Sequence, residues 1–455
     1  MTLDRAAKPN PTDELNFYLP KMNEFELENG LKVLFVQKDN LPMIQLSLIS
    51  DCGSKYDPDE KKGLVNLFSM VLDEGAGEFS ALELSDEFDL LGTNFNISCS
   101  SDTVNFSLQT LTENFDKALQ LFSKVILSPQ LNEKDFEREK RKVETKILQL
   151  QDEPDEIASS LFDMIVLGKD NPYAYQSLGY DNTIKNISIG DLKDFYSNYF
   201  LPNNSSLIVV GNISLTELKD KLNKNLSAWI KKDFSQLEIK SNSKSKTQIY
   251  LFDKKDSVQS EIRIGHISSK RKNKDYFSKN LMNTILGGQF SSRINLNLRE
   301  DKGYTYGAFS RFNYYKDDAY FFTSTSVGQE NTANAVKEIL NELHKITKGV
   351  TPHELDFAKS SIIRKFPSNF ETYSQVAGNL SGNIIFSLPD DYFDTYIENI
   401  KNVTIEDVNR TAVENIFPGE LVIVIVGDKD KIVNSLKELN AGEIKEVDLF
   451  GEIVS

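Results

Sequence analysis

Residues 191–213, DLKDFYSNYFLPNNSSLIVVGNI, decide the fold, because residues 407–429, DVNRTAVENIFPGELVIVIVGDK, repeat them. Each stretch reads as a helix, a turn carrying a proline, a short apolar run and a terminal glycine. An apolar run of that length, bounded by turn residues, reads as a buried strand. A second echo lies upstream. LKVLFVQKDNLPMIQLSLIS (31–50) has its counterpart in TQIYLFDKKDSVQSEIRIGHIS (247–268): a strand, a charged turn and an alternating strand. Self-similarity across such a distance marks a duplicated unit.

Between these landmarks both halves run helix, strand, strand, helix. TVNFSLQTL (103–111) and AYFFTSTSV (319–327) alternate apolar and polar residues, which predicts antiparallel sheet with one face packed under helices. NFDKALQLFSKVI (114–126) and NTANAVKEILNELHKI (331–346) carry the i, i+3, i+4 apolar spacing of those helices. A polar Ser/Lys-rich stretch, KKDFSQLEIKSNSKSK, predicts a solvated linker at 231–246. The expected organisation is an N-terminal extension (1–22), a first domain (23–230), the linker, and a second domain (247–455). The fold class is α+β: two tandem homologous domains, each a mostly antiparallel sheet packed against helices.

Composition removes several function classes. With 68 acidic and 52 basic residues the net charge is −16, which disfavours a nucleic-acid partner and suits a basic peptide. The longest apolar runs are strand-sized, so no transmembrane segment is expected. The opening residues, MTLDRAAKPNPTDELNFYLPK, lack an apolar signal core, leaving the chain cytoplasmic or its signal removed. Cys52 and Cys99 are too few for a metal framework. His266, His344 and His353 have no metal-ligand spacing to one another, and neither a Ser-His-Asp nor a Cys-His arrangement can be read.

In GLVNLFSMVLDEGAG (63–77), Leu64, Leu67, Phe68, Val71 and Leu72 form one apolar stripe of an amphipathic helix, and Asn66, Ser69 and Met70 line a second face. With its surroundings, GSKYDPDEKKGLVNLFSMVLDEGAGEFS (53–80) resembles the pitrilysin and insulinase-like zinc peptidases. In that family a Gly-Leu precedes an inverted zinc motif, His-x-x-Glu-His. The resemblance puts Asn66 and Met70 at the two zinc-binding histidines and Ser69 at the water-activating glutamate. In FEREKRKVETKILQLQDEP (136–154) it puts Lys146 at the third ligand. No zinc is expected in this chain.

The resemblance extends from about Asn23 to Gly427. ILGGQFSSRINLNLREDKGYTYGAFSRF (285–312) is similar to the family's C-terminal signature, in which an Arg and a Tyr seven residues later lean onto substrate held at the zinc domain. The match lands on Arg299 and Tyr306, with Tyr304 as an alternative phenol at the wrong spacing. A guanidinium suits substrate carbonyls, and a phenol suits a developing oxyanion.

Loss of the ligands with retention of Arg and Tyr resembles the noncatalytic subunit of the family's heterodimers, such as the mitochondrial processing peptidase and its bacterial relatives. That resemblance implies half of a clam-like chamber. It further implies a homologous zinc-bearing partner subunit that cleaves unfolded peptides, Arg299 and Tyr306 serving it in trans, and a periplasmic location after signal removal. The alternatives are a structural core-type subunit of a membrane respiratory complex and a peptide-binding homodimer without chemistry.

Overall fold

A computed structural model describes residues 21–243 and 246–454; most of the expected N-terminal extension, 1–20, lies outside them. Fourteen strands follow in chain order: β1 (Met22–Glu26), β2 (Lys32–Gln37), β3 (Met43–Ser50), β4 (Gly75–Ala76), β5 (Phe79–Ser80), β6 (Asn94–Cys99), β7 (Val104–Leu111), β8 (Ser205–Gly211), β9 (Gln248–Asp253), β10 (Gln259–Ile267), β11 (Ala308–Tyr314), β12 (Ala319–Gly328), β13 (Val422–Gly427) and β14 (Glu443–Glu446). Apart from the small β4–β5 hairpin they form two six-stranded sheets, ordered β1-β2-β8-β3-β7-β6 and β14-β9-β13-β10-β12-β11.

Five strands of one sheet thus follow the same order as five of the other. The repeated stretch supplies the strand that organises each. β8 inserts between β2 and β3, parallel to the first and antiparallel to the second. β13 does the same between β9 and β10. A central strand is covered on both faces, which is why LIVVG (207–211) and VIVIVG (422–427) are apolar throughout rather than alternating. The sheets are mostly antiparallel, and each central strand brings the parallel pairing. The helices before these strands, Ile189–Asn198 and Ile405–Asn415, begin alike. Ser188 and Thr404 cap them, each paired with an Asp three residues on.

The expectation of one covered sheet face holds along β7, whose residues alternate in burial, and needs correction at β12, which is buried on both sides. The cover comes from the opposite half. Helix Pro154–Leu167, in the first half of the chain, lays Ile157, Leu161 and Phe162 on Tyr320, Phe322 and Val424 of the second sheet. Phe162 reaches the sheet because Gly265 leaves room for it: a Cβ there would stand 2.9 Å from the Phe162 ring. In exchange, helix Tyr373–Phe386 lays Val376, Ala377 and Leu380 on Ile49, Ile208 and Val210 of the first sheet. The Tyr373 hydroxyl donates to the Lys38 carbonyl (2.9 Å) and accepts from Leu41 N–H (3.0 Å). Each buried aromatic or large aliphatic side chain contributes about 1.5–3 kcal/mol, so the exchange ties the halves together.

A polar lock adds to it. Buried Lys55 pairs with Asp51 (3.1 Å) and Asp102 (3.0 Å). Asp102 also accepts from the Tyr173 hydroxyl (2.5 Å) and from the backbone N–H of Lys316 (2.8 Å), at the tip of the β11–β12 hairpin. Lys316 in turn reaches Asp51 with its ammonium. The described part of the expected linker, 231–243, is mostly exposed and touches both halves. Phe234 packs 5.5 Å from Tyr56, and Ser241 donates to Asp318 (2.8 Å). Among the described residues no helix is long and apolar enough to cross a membrane.

Candidate functional site

Helix Leu64–Val71 is fixed both at its N-terminus and along its inner face. Its N-terminus is capped at a distance by Asp57, whose carboxylate accepts from Gly63 N–H (2.8 Å) and Val65 N–H (2.9 Å). Burial pushes that carboxyl up to about 7, against the pull of the two N–H donors and Lys62. Gly63 enters the helix at φ +99°, and a Cβ there would stand 2.7 Å from the Leu178 carbonyl oxygen, so only glycine fits. Phe68 anchors the inner face against Phe195 (5.0 Å) and Phe200 (6.0 Å).

At the motif positions the chemistry has turned inward. The Asn66 amide donates to Met70 Sδ (3.6 Å), and the Ser69 hydroxyl donates to the Asn66 carbonyl (2.7 Å). Ser69 is buried and the other two are half-buried, so the second face of this helix is less open than its polarity predicts. Lys146 is exposed on the neighbouring helix Glu133–Leu150. An amide, a hydroxyl, a thioether and an ammonium do not fit zinc, which takes histidine, cysteine or carboxylate ligands. Among the described residues no three His, Cys, Asp or Glu side chains come together to hold a metal ion.

Sequence reading passed over the carboxylates beside this helix. Glu139 is buried and bound by Arg138 (3.1 Å) and Lys142 (2.7 Å); Arg138 also reaches Glu74 and Asp135. Burial and the Glu139 carboxylate push Asp73 up to about 6, its own backbone N–H and Lys142 opposing. The signal was present as Asp135, Glu139 and Lys142 at helical spacing, but a run as charged as EREKRK reads as solvated.

In the second half, the Ser-Arg pair of the signature anchors its segment. Arg293 grips Glu354 through two nitrogens, at 2.6 and 2.9 Å, and donates to the Gly349 carbonyl (3.1 Å). From there the chain runs through a π-helical turn, Leu296–Asp301, closed by Lys302 N–H on the Asn297 carbonyl. Such turns often occur at functional sites. Arg299 leaves this turn over the Phe290 ring (4.5 Å) and beside Glu300 (3.3 Å). Tyr304 packs against the core, whereas Tyr306 is 93% exposed. Of these two phenols, Tyr306 is the one held out in solvent. Arg299 and Tyr306 share this one surface segment, and no hydrogen bond or ion pair among the described residues joins either to Asn66, Ser69, Met70 or Lys146.

The remaining candidates are structural. Cys52 and Cys99 are free thiols, and burial pushes Cys52 up to about 12. His266 accepts from Phe417 N–H (3.3 Å) with its other ring nitrogen on the Ile267 carbonyl (2.9 Å), and His344 sits on the Leu340 carbonyl of its own helix (2.7 Å). His353 is exposed in the first turn of its helix.

Comparison with known proteins agrees with this architecture. Residues 32–171 match the model of the insulinase family, peptidase family M16, and residues 186–362 match that of the peptidase M16 inactive domain. A non-peptidase homologue, YmxG, from Helicobacter pylori is 25% identical over 89% of this chain and 94% of its own length. The zinc protease PqqE of the same organism is 27% identical over 79% of this chain and 83% of its own. Among solved structures, a peptidase M16 inactive domain from Pseudomonas fluorescens superposes with a TM-score of 0.84 at 25% identity, covering 89% of this chain and 98% of that one. With both models matched in order along one duplicated fold, the chain belongs to the M16, or insulinase, peptidase family.

Proposed function

We propose that this chain is the zinc-free subunit of a heterodimeric M16 peptidase. Its first half is scaffold. Its second half places Arg299 and Tyr306 over the zinc site of a homologous partner, the two chains enclosing a clam-like chamber that admits unfolded peptides. The observation that carries this reading is the contrast within one molecule. The motif helix keeps its cap and packing while its four ligand positions hold groups unfit for zinc. Arg299 and Tyr306 stay at the surface, with no structural contact that would account for a phenol 93% exposed. Helicobacter pylori contains relatives of both kinds, a non-peptidase homologue and a zinc protease, which is the composition such a pair needs.

In the assembled chamber the guanidinium would hold substrate carbonyls, and the phenol would donate to the oxyanion formed when water attacks the peptide bond. The net charge of −16 would draw basic peptides towards the pair by steering that salt weakens. The test is to purify the tagged chain from its native host under mild conditions and identify what accompanies it by mass spectrometry. A stoichiometric partner bearing His-x-x-Glu-His, with peptide cleavage only when both chains are present, is the expected result. Isolation alone, or with membrane respiratory subunits, would overturn it.

A further inference from the structure

Arg271 is a buried cation without a counterion. It is 9% exposed, and none of its nitrogens lies within 4 Å of a carboxylate among the described residues. Its guanidinium lies 3.1 Å from the centre of the Tyr276 ring and 5.3 Å from that of Tyr392, and donates one hydrogen bond to the Tyr392 hydroxyl (2.5 Å). A guanidinium has five N–H donors, so most of its capacity is unused. The nearby buried carboxylate, Asp275, is bound by Arg410 at 3.0 Å. A second buried cation, Lys279, stands close by with its ammonium on Ser269 Oγ (2.8 Å) and 5.4 Å from the Tyr314 ring. Desolvation, aided by repulsion from Arg271 and opposed by Asp275, pulls this ammonium down to about 8.

Buried charges are normally paired, because desolvating a lone ion costs several kcal/mol. Here an excess of positive charge lines a groove rather than a sealed core. Arg271 forms part of the wall of an open groove of about 500 Å³, with Tyr276, Phe277, Tyr392 and Leu388 as its apolar sides. Exposed Lys272 and Lys274 stand at the rim, opposed there by Asp391 alone among the acidic lining residues. In a chain of net charge −16 this basic run, KRKNK, is out of character.

We infer that this groove binds a small organic anion, its carboxylate or phosphate oxygens on Arg271 and its flat apolar body laid along the wall that Phe277, Leu388 and Tyr392 form. The guanidinium fork matches two oxygens of either group, and the rings accept a planar body at van der Waals distance. The site is independent of Arg299 and Tyr306 and needs no partner subunit.

Isothermal titration of the full chain with benzoate, phenyl phosphate, inorganic phosphate and benzylamine tests it. Saturable binding of benzoate or phenyl phosphate, tighter than about 1 mM, is expected, with benzylamine silent. Which of the two binds distinguishes a carboxylate from a phosphate ester. Arg271→Lys is expected to weaken binding by about 10–100-fold, the value of charge-assisted bonds made by a fork and lost by a point charge. Should that variant fail to fold, Lys272→Glu with Lys274→Glu, both at exposed positions, is expected to weaken binding several-fold. Absence of saturable binding by both aromatic anions overturns the proposal. So does binding unchanged in the foldable variants, or inorganic phosphate binding as tightly as phenyl phosphate.

Discussion

The two halves of this chain share a fold and differ in how they hold the two segments that the family resemblance singles out. In the first half, helix Leu64–Val71 retains Asp57, Gly63 and the Phe68 anchor, while Asn66, Ser69 and Met70 bond to one another. In the second half, Arg293 and Glu354 fix the base of the signature segment, and Tyr306 at its far end touches almost nothing. Scaffold and chemistry are therefore separable. Removing a ligand side chain costs a folded protein little, whereas removing the cap or the anchor beneath it costs the helix.

The sharpest way to break the contrast is to restore the lost chemistry. Asn66→His, Ser69→Glu, Met70→His and Lys146→Glu made together are expected to take the chain to one bound zinc, read as metal content after dialysis, while single changes leave too few ligands. Stoichiometric zinc in the unaltered chain would refute the assignment of these positions. Next in size is the exchange of helices. Phe162→Ala is expected to destabilise by about 3–5 kcal/mol and Leu380→Ala by about 2–5 kcal/mol, each in one cooperative denaturant transition, because each side chain fills the other half's core. A separate early transition for one half would show that the halves unfold independently.

Tyr306→Phe is expected to lower turnover of the assembled pair by about 10²–10³-fold with no change in melting temperature, since a solvent-facing hydroxyl is removed. Unchanged turnover would leave the phenol without its proposed role.

The smallest effect separates the halves by pH. Glu354 is held down at about 2, chiefly by Arg293, so its contribution is present above the ordinary carboxylate pKa of 4.5 and is lost as pH falls towards 2. Glu354→Gln is expected to cost about 1–2 kcal/mol at neutral pH, reduced by the pair's partial exposure, and nothing near pH 2. Asp57 has the opposite sign. Burial raises it to about 7, so its contribution is full below pH 3.8 and is lost as pH rises through 7. Relative to Asp57→Asn, the unaltered chain should lose stability across that window in denaturant titrations. Parallel profiles for the two sites would erase the distinction.

Much of this was legible in residues alone. The matched stretches at 191–213 and 407–429 disclosed the duplication, since an apolar run with a proline before it and a glycine after it has few other readings. The seven-residue spacing from Arg299 favoured Tyr306 over Tyr304, but nothing local told which of the two packs against the core. Both are tyrosines in a turn, and only the backbone bond from Tyr304 N–H to the Leu298 carbonyl (2.9 Å) draws one of them against the core. Nothing local marks Glu139, Lys55 or Arg271 as buried, because composition carries no information on burial.

By itself the sequence determined the duplicated α+β class and the chemical unfitness of four positions for zinc. Both follow from side-chain type and short-range periodicity. Tertiary structure alone decided that each sheet is roofed by a helix from the other half, that Lys316 and two aspartates lock the halves, and that one arginine is buried beside a groove with no carboxylate paired to it. Those outcomes depend on contacts between segments far apart in the chain. Such contacts are set by which apolar faces remain uncovered once the local elements have formed, and no local pattern of residues records that choice.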